Sequence, residues 1–596
     1  MNTASGGTLP TSRARGGEAA GGITRMWPGV TIFLITLVTY LPSFKADFIW
    51  DDNDIYITQN RLIQAPDGLY RIWFTREPVD YYPMVHTAWW AQWRLFGAHP
   101  AGYHVVNVVL HACCAVLLWR VFVGLGIVGA WLCALIWAVH PVNVETVTWI
   151  SELKNILPML FSLLSLLAWL RFESRSAPRY YWAALGLFLL AMLGKPATAT
   201  FPLVLLGLSW WRQGRIARSE ATGGFARSPG RGGQPPSRGR FWVYRGDGVP
   251  ETSLYPGETG TAPGFFTHAL RLLPFFVLAV ILSLVTIHFQ KVHAVGSDVV
   301  HGSFAVRLAG AGYAIWFYLY KLLLPWGLSF IYPRWEIVST SVVSYLPLAL
   351  FVAALAVCWR FRTGWGRPFL AGLGLFVLNL LPVLGFFDIY FLRFSLVADH
   401  WQYVAMASVI PLVIWLADRA CTRLRIRREV STIIGLALAG LLAVMTWQRQ
   451  AIYRSEETLW RETVRTNPSA WLAQYNLANI VARRGQLDEA IGHYTEAIRF
   501  KADYADAHNN LGNALGAKGR PEEALEHWRS AIKYDPRLDA AHFNIGATLL
   551  AQHRPAEAIE HFEASLKINP DNADAQRGLA AARAQQRSEG QPPEGK

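Results

Sequence analysis

The sequence is short of charged residues. Only 16% of its 596 residues are Asp, Glu, Lys or Arg, while 53% are hydrophobic. Because soluble domains carry about 25% charged residues, this composition excludes a chain built only of soluble domains. Apolar runs recur between residues 27 and 447, and the rest of the chain is polar and helical in pattern. The sequence therefore predicts an all-α protein, in which a polytopic membrane domain precedes a soluble tail.

Cysteine is also scarce. The five cysteines lie in or beside apolar runs without metal-ligand spacing, so we expect neither a zinc site nor a disulfide framework. Acidic residues number 41 against 55 basic ones, and many arginines fall in a Gly/Pro/Ser-rich stretch. We interpret this stretch, 213–268, as a disordered cytoplasmic loop. Binding to nucleic acid or anionic lipid is the lesser alternative, and we predict no nucleic-acid partner.

Basic residues at the ends of the apolar runs predict their orientation. Arginines precede Trp27, which places the N-terminal tail, 1–26, in the cytoplasm as part of an uncleaved signal anchor. The segment 305–330 would break the alternation if it crossed, and Pro325-Trp326-Gly327 interrupts it, so we expect it to be embedded without crossing. The prediction is about 11 spans over 27–450 in a bacterial inner membrane, with a periplasmic tail.

The tail repeats with a period of 34 residues. Asn476-Leu477-Ala478 recurs at 510–512 and 544–546, and an aromatic residue recurs at positions 494, 528 and 562. This pattern is typical of the tetratricopeptide repeat (TPR), whose helices cross at small residues. We predict a TPR solenoid over 453–585, with a half repeat first, a capping helix last and a disordered end at 586–596. The full repeats are predicted at 471–504, 505–538 and 539–572.

A solenoid of this kind has a concave face that binds extended peptides. Asparagine recurs at one position of the first helix in each repeat, at Asn476, Asn510 and Asn544. These side chains are candidates for clamping the backbone of an acceptor peptide. The alternative is that they form solvated helix surface.

Polar side chains collect on the outer side of the predicted bundle. Carboxylates alternate there with basic residues, as a site for an anionic sugar phosphate requires. Each residue also has a plainer explanation: the acids as solvated loop residues, His104 as packing, Lys195 as a side chain reaching the interface. The candidates, from separate outside segments, are Asp51, Asp52, His104, Glu145, Lys195, Arg393, Asp399, His400 and Tyr403.

Several of these runs resemble one known family. With the repeat tail, they are similar to the transmembrane and tetratricopeptide-repeat O-mannosyltransferase-like proteins of the C-type (GT-C) glycosyltransferase superfamily. The resemblance covers 27–212 closely and 305–410 loosely. One departure is His400, which stands where many relatives have arginine. The runs that carry it are Phe48-Ile49-Trp50-Asp51-Asp52, Gly102-Tyr103-His104-Val105-Val106-Asn107, the stretch from His140 to Asn155, and Lys195-Pro196.

The resemblance implies transfer of a sugar, with mannose expected, from a polyprenyl-phosphate donor in the bilayer to a Ser or Thr hydroxyl of a protein. Asp51 is then the base, and Asp52 shapes it or holds a metal. Glu145 occupies the second acidic position, and Lys195 and Arg393 are candidate phosphate contacts. Asp399, His400, Tyr403 and His104 complete the predicted substrate site. No cofactor is certain, and a divalent cation stays open.

Two other functions fit parts of the sequence. In a non-catalytic scaffold, the membrane part would only anchor the repeats, but eleven spans exceed what an anchor needs. A transporter would require paired inverted repeats or broken helices, and no internal symmetry of that kind is evident in the sequence. The sequence leaves the sugar, the acceptor and the metal undetermined.

Overall fold

The computed structural model describes residues 26–221, 265–289 and 302–589. The described residues form helices and loops without a strand, which confirms the predicted all-α class. The predicted disordered loop at 213–268 is shorter than expected, because helices occupy its two ends, up to Ala221 and from Phe265. The rest of that loop and nearly all of the two predicted tails lie outside the described residues.

The chain divides into two compact units. We name the first, Met1–Leu328 with Glu336–Ser455, the membrane unit, and the second, Ser329–Trp335 with Glu456–Lys596, the repeat unit. The boundary near Ser455 lies close to the predicted start of the repeats. The short segment 329–335, however, belongs to the repeat unit, although the sequence reading assigned it to the membrane domain.

The helices of the membrane unit often begin at proline, whose fixed φ and missing N–H suit the first turn. In chain order the described helices are α1 (Trp27–Thr39), α2 (Arg61–Gln64), α3 (Gly68–Phe74), α4 (Pro83–Phe96), α5 (Pro100–Gly124), α6 (Ala130–Ala138), α7 (Val144–Thr148), α8 (Leu153–Arg175), α9 (Pro178–Gly194), α10 (Phe201–Ala221), α11 (Phe265–Phe289), α12 (Phe304–Leu323), α13 (Leu346–Arg360), α14 (Gly366–Leu380), α15 (Met406–Arg423) and α16 (Arg428–Arg449).

The eleven predicted spans begin near residues 27, 104, 124, 154, 180, 197, 269, 345, 368, 400 and 430, and each overlaps one of these helices. Not all of these helices are long and apolar enough to cross a bilayer alone. Four of them, α1, α9, α10 and α15, fall outside the set that meets this test. A bent pair, Ala130–Ala138 with Pro141–Thr148, meets it as one broken span with a 46° bend. The six single candidates are Pro100–Gly124, Ile150–Arg175, Thr267–Phe289, Val342–Arg360, Gly366–Val383 and Arg428–Arg454.

The segment predicted as embedded, 305–330, contains an unbroken helix. Helix α12 runs for 20 residues and ends before Pro325, so the break follows the helix instead of interrupting it. Proline disfavours helix in the residue before it, which explains where α12 stops. The Lys321 ammonium then closes the turn by donating to the carbonyls of Trp326 (2.6 Å) and Gly327 (3.0 Å). Whether this helix crosses the membrane stays open.

The loop at residues 45–100, which the sequence predicts to lie outside the membrane and which we name the first outside loop, is a folded part of the membrane unit. Its short helices α2, α3 and α4 bury one apolar cluster that includes Ile63, Ile72 and Trp89. Tyr103 at the start of α5 and Leu153 at the start of α8 belong to the same cluster. Burial of side chains of this size contributes about 1.5–3 kcal/mol each. The loop is therefore held firmly against the ends of two membrane helices.

The repeat unit confirms the TPR prediction. Large aromatic side chains pack where the facing helix has glycine: a Cβ on Gly512 would lie 2.6 Å from the Trp528 ring, and one on Gly546 3.1 Å from Phe562. Its described helices are α17 (Glu456–Thr466), α18 (Trp471–Arg483), α19 (Leu487–Phe500), α20 (Ala505–Ala517), α21 (Pro521–Tyr534), α22 (Asp539–Ala551), α23 (Pro555–Ile568) and α24 (Ala573–Glu589).

The segment 329–335 packs on the half repeat at the start of this array. Phe330 meets the Trp460 ring edge-on, with the centroids 5.7 Å apart. The side chain of Asn467 donates to the Ile331 carbonyl at 3.1 Å. Trp460 occupies the register of Trp528, two periods of 34 residues earlier, but among the described helices α17 has no first helix of its own repeat beside it. The segment thus covers an aromatic ring that a helix covers elsewhere.

Candidate active site

Asp52 joins the first outside loop to the stretch from His140 to Asn155, which we name the second outside turn. One carboxylate oxygen accepts the Ser151 N–H at 2.7 Å, and the other accepts the Ile49 N–H at 3.2 Å. The side chain is fully buried, and burial raises the pKa of Asp52 to about 8, although the two N–H donors act in the opposite direction. Within the described residues, no group of three or more His, Cys, Asp or Glu could hold a metal ion. The geometry therefore gives Asp52 a joining role, and its metal role stays a prediction.

Asp51 follows a residue in an unusual backbone conformation. Trp50 has φ of +44°, which is rare for a bulky side chain. Its ring stacks on Trp149 at 5.6 Å, and the edges of Phe391 and Phe394 pack against it. Strained residues of this kind persist where the surroundings hold them and cluster at functional sites. The aromatic cage thus determines the direction in which the chain presents the half-buried Asp51.

The structure brings a second acid and a lysine to the same place. Asp80 accepts a hydrogen bond from the Tyr56 hydroxyl at 3.0 Å. The Lys154 ammonium lies 5.1 Å from the centroid of the Tyr56 ring and 5.2 Å from that of Trp149. Its charge interacts with Asp51 and Asp80 as well as with the nearby Glu152. The sequence reading did not include Lys154 or Asp80 among its site residues, although a lysine at the start of an apolar run was a usable signal.

Lys195 is linked to the second outside turn by one amide. Its ammonium donates to the Asn155 side-chain oxygen at 2.6 Å, and the Asn155 amide donates to Glu152 and to the His400 carbonyl (3.4 Å). Burial lowers the pKa of Lys195 to about 8; Glu152 opposes this shift and Lys154 adds to it. The predicted Lys195 thus lies with Lys154, Asn155 and Glu152 in one polar cluster.

Two buried contacts, one a hydrogen bond and the other an ion pair, bring distant residues to this cluster. His400 Nδ1 lies 2.6 Å from Glu145 Oε1, and both side chains are shielded from solvent. Asp399 pairs with Arg449 at 3.1 Å, and Arg449 also donates to the Leu328 carbonyl at 2.9 Å. The structure therefore unites the predicted residues Glu145, Asp399 and His400. The sequence reading missed Arg449, whose only signal was a charge at the end of an apolar run.

Three other candidates take different places. His104 is buried in α5 against the backbone of Ala46 and Asp47. The Tyr403 hydroxyl bonds to His111 Nδ1 at 2.8 Å inside the bundle, although the residue also borders the cavity described next. The Arg393 guanidinium lies over the rings of Tyr390 (5.0 Å) and Phe394 (5.5 Å). Substrate contact by these three residues stays a prediction.

A cavity of about 520 Å³ extends from the polar cluster into the helices. Lys154, Asn155, Lys195 and His400 line it, and along α8 its wall continues as far as Leu166. Twelve residues of helix correspond to roughly 18 Å, more than half the thickness of the hydrocarbon core. The other walls are mainly apolar and come from α5, α10, α14 and α15; they include Leu118, Phe201, Leu375 and Leu412. The site is therefore an apolar groove with a cationic end.

The asparagines of the repeat unit form ladders between successive repeats. Asn510 donates to the side-chain oxygen of Asn479 at 3.0 Å, and Asn544 donates to that of Asn513 at 2.8 Å. Asn476 has no preceding full repeat with which to form this bond. At least part of the hydrogen-bonding capacity of Asn510 and Asn544 is thus used inside the array. Peptide binding by the three asparagines stays a prediction.

Comparison with known proteins supports both units. A family model described as "TPR repeat" matches residues 478–519. A second model, described as "Tetratricopeptide repeat", matches residues 509–573 and 547–590. "Protein O-mannosyl-transferase TMTC4" of Mus musculus is 24% identical over 529 residues, which cover 78% of this chain and 66% of the relative. "Protein O-mannosyl-transferase TMTC1" of Homo sapiens is 25% identical over 549 residues, which cover 85% of this chain and 58% of the relative.

Similar solved structures include the "Crystal structure of MamA protein", which is 18% identical with a TM-score of 0.21 and covers 22% of this chain and 72% of that one. The chain spans less than two thirds of the length of the curated relatives given above. The match to them nevertheless extends through most of this chain, across the membrane unit and into the repeats. By this similarity and by its repeats, the chain resembles the transmembrane and tetratricopeptide-repeat O-mannosyl-transferase-like proteins.

Proposed function

We propose that the protein is a membrane glycosyltransferase of the GT-C type. It transfers a sugar from a polyprenyl-phosphate donor to a Ser or Thr hydroxyl of a protein, on the outer face of a bacterial inner membrane. The observation that carries the proposal is the apolar groove whose polar end contains two half-buried lysines beside the Asp51 loop. Mannose is the proposed sugar, because the relatives are named protein O-mannosyl-transferases.

The groove suits a donor with a long apolar tail and an anionic head. Its walls are mainly aliphatic and aromatic, so a polyprenyl chain would leave the bilayer without losing apolar surroundings. At its polar end, Lys195 offers a positive charge to a phosphate, and a charge-assisted hydrogen bond of this kind contributes about 1.5–3 kcal/mol. A soluble nucleotide sugar would have no use for so long an apolar wall.

In the proposed reaction, the acceptor oxygen forms a bond to the anomeric carbon while the bond from that carbon to the phosphate oxygen breaks. The electron pair of the broken bond stays on the phosphate, which leaves as a polyprenyl phosphate. Asp51 takes the proton from the acceptor hydroxyl. Because phosphate needs no protonation to leave, Lys195 stabilises its charge instead. A single displacement of this kind inverts the anomeric centre.

The buried pair of Glu145 and His400 is proposed to shape the floor of the site. Both side chains are enclosed, and the hydrogen bond between them links the second outside turn to the segment that precedes α15. The repeats are proposed to bind the acceptor protein, in the periplasm. Orientation is testable separately: a periplasm-specific reporter fused after Pro570 should be active, and one fused near Gly233 should be inactive.

The test is transfer of a labelled sugar by the purified chain. We expect incorporation into a peptide panel from polyprenyl-phosphate mannose, and none from GDP-mannose. Deleting 471–585 should reduce transfer to protein acceptors far more than hydrolysis of the donor, because tethering raises the local concentration of acceptor. Absence of both transfer and hydrolysis with every polyprenyl-phosphate sugar would favour the alternative, a non-catalytic scaffold that recruits partners through its repeats.

A further inference from the structure

Lys154 is a half-buried cation at the polar end of the groove that the proposed mechanism has not yet assigned. It lies on the first turn of α8, and its side chain is only 13% exposed. Its ammonium is 3.1 Å from Glu152 Oε1 and faces the rings of Tyr56 and Trp149. Placing an ammonium there costs several kcal/mol of desolvation, which the surrounding carboxylates offset, so that Lys154 stays charged. A charge held in this way at the end of the groove is available to an anionic head group.

The position of Lys154 relates the groove to the acidic loop. It lines the cavity together with Asn155 and Lys195. On its other side it interacts with Asp51 and Asp80 of the first outside loop. Arg393, which the sequence suggested as the second phosphate contact, lies over Tyr390 and Phe394 and is not among the residues that line the groove. Lys154 therefore has both the charge and the place for which Arg393 was suggested.

We propose that Lys154 is a further catalytic residue, which binds the donor phosphate together with Lys195 and stabilises the charge that develops on it as the glycosyl bond breaks. This inference rests on the proposed function. Lys154, Lys195 and Glu152 together carry one net positive charge, and the carboxylates of Asp51 and Asp80 in the first outside loop also interact with Lys154. The charge of these three groups matches the single negative charge of a phosphodiester donor, and the phosphomonoester that leaves acquires its second negative charge between the two ammoniums.

The test measures binding instead of turnover. The full-length protein, in lipid nanodiscs, is titrated with undecaprenyl phosphate and, separately, with undecaprenol. The wild-type protein should prefer the phosphate. Lys154→Gln should weaken binding of undecaprenyl phosphate about 10- to 100-fold and leave undecaprenol binding unchanged, since only the phosphate loses a charge-assisted bond. Lys154→Arg should restore part of the affinity.

Two variants separate this role from a structural one. The double variant Glu152→Gln/Lys154→Gln removes the carboxylate together with its lysine, so that no buried carboxylate is left without its partner. If the only role of Lys154 is to neutralise Glu152, this double variant should recover the wild-type affinity for undecaprenyl phosphate. That result would overturn the inference. If Lys154 binds phosphate, affinity stays low. Lys321→Gln removes another lysine of the membrane unit, a buried one that bonds to Trp326 and Gly327 and does not line the groove. It should leave the preference for phosphate unchanged.

The binding results distinguish a failure of the role proposed for Lys154 from a failure of the proposed polyprenyl-phosphate donor. A wild-type protein that binds undecaprenyl phosphate no better than undecaprenol contradicts the polyprenyl-phosphate donor itself, and with it this proposal. A wild-type preference that persists unchanged in Lys154→Gln overturns only the role of Lys154. Thermal unfolding of each variant is followed in parallel, and Lys154→Arg serves as the binding probe if Lys154→Gln does not fold.

Discussion

The two units of this protein use charged side chains in opposite ways. In the membrane unit, Glu145, Glu152 and Asp399 are fully buried, and their closest partners include residues far along the chain. In the repeat unit, pairs such as Arg520–Glu523 lie three residues apart and are about half exposed. Exposed pairs contribute about 0–1 kcal/mol, whereas breaking a buried pair costs about 3–5 kcal/mol. The same residue types thus support helices in one unit and build a site in the other.

The largest expected effect is that of Asp51→Asn. We expect transfer to fall about 10²–10⁴-fold with little change in folding, because a general base is lost from a half-buried position. The matched change at the neighbouring residue, Asp52→Asn, should instead lower the thermal stability of the membrane unit. The two Asp52 oxygens accept one N–H each, from Ile49 and Ser151, and asparagine replaces one of these oxygens with an NH2 group that cannot accept. Sugar transfer and thermal unfolding are measured for both. Equal behaviour of the two variants would remove the distinction between catalytic and joining acids.

Trp460→Ala tests the corresponding junction in the repeat unit. Because Trp460 is fully buried and packs against Phe330, its truncation should destabilise the start of the array by about 3–5 kcal/mol. Hydrogen exchange in the full chain should rise at 329–335. Phe500→Ala, at a side chain that is 40% exposed, is the control and should change little. Protection of 329–335 that survives Trp460→Ala would contradict this packing account.

The pH dependence of donor use should report Lys195. Its pKa is lowered to about 8 from an ordinary value near 10.5, so its positive charge is present below pH 8 and is lost as the pH rises through that value. We expect kcat/KM for the donor to fall above about pH 8. In Lys195→Arg this decline should move beyond pH 10, because the guanidinium stays charged. A decline at the same pH in both proteins would assign it to another group.

The smallest expected effect is that of breaking an exposed pair in the repeats. Glu523→Gln removes the partner of Arg520 on the surface of α21. We expect a change in unfolding free energy of about 0.2–1 kcal/mol and unchanged sugar transfer. Thermal unfolding and the transfer assay provide the comparison. A loss of transfer without a loss of stability would instead place this surface in acceptor binding.

The repeat unit could be predicted as a TPR array, because each TPR packs mainly on its neighbours and the packing positions recur at fixed spacing. Small residues at 512 and 546 and aromatic residues at 528 and 562 therefore carry the information locally. The helices of the membrane unit were likewise predictable from apolar runs. The sequence reading failed at 329–335, whose packing depends on a residue, Trp460, more than a hundred positions away.

The sequence by itself determined the all-α class, the helical runs, the repeat array and the set of acids beside the first outside loop. Only the tertiary structure decided which polar residues meet. It joined Asp52 to Ser151, Glu145 to His400 and Lys195 to Asn155, and it placed Lys154 on the groove. The physical reason is that periodicity records contacts within and between neighbouring helices, whereas a buried charge reveals its partner only when distant segments pack together.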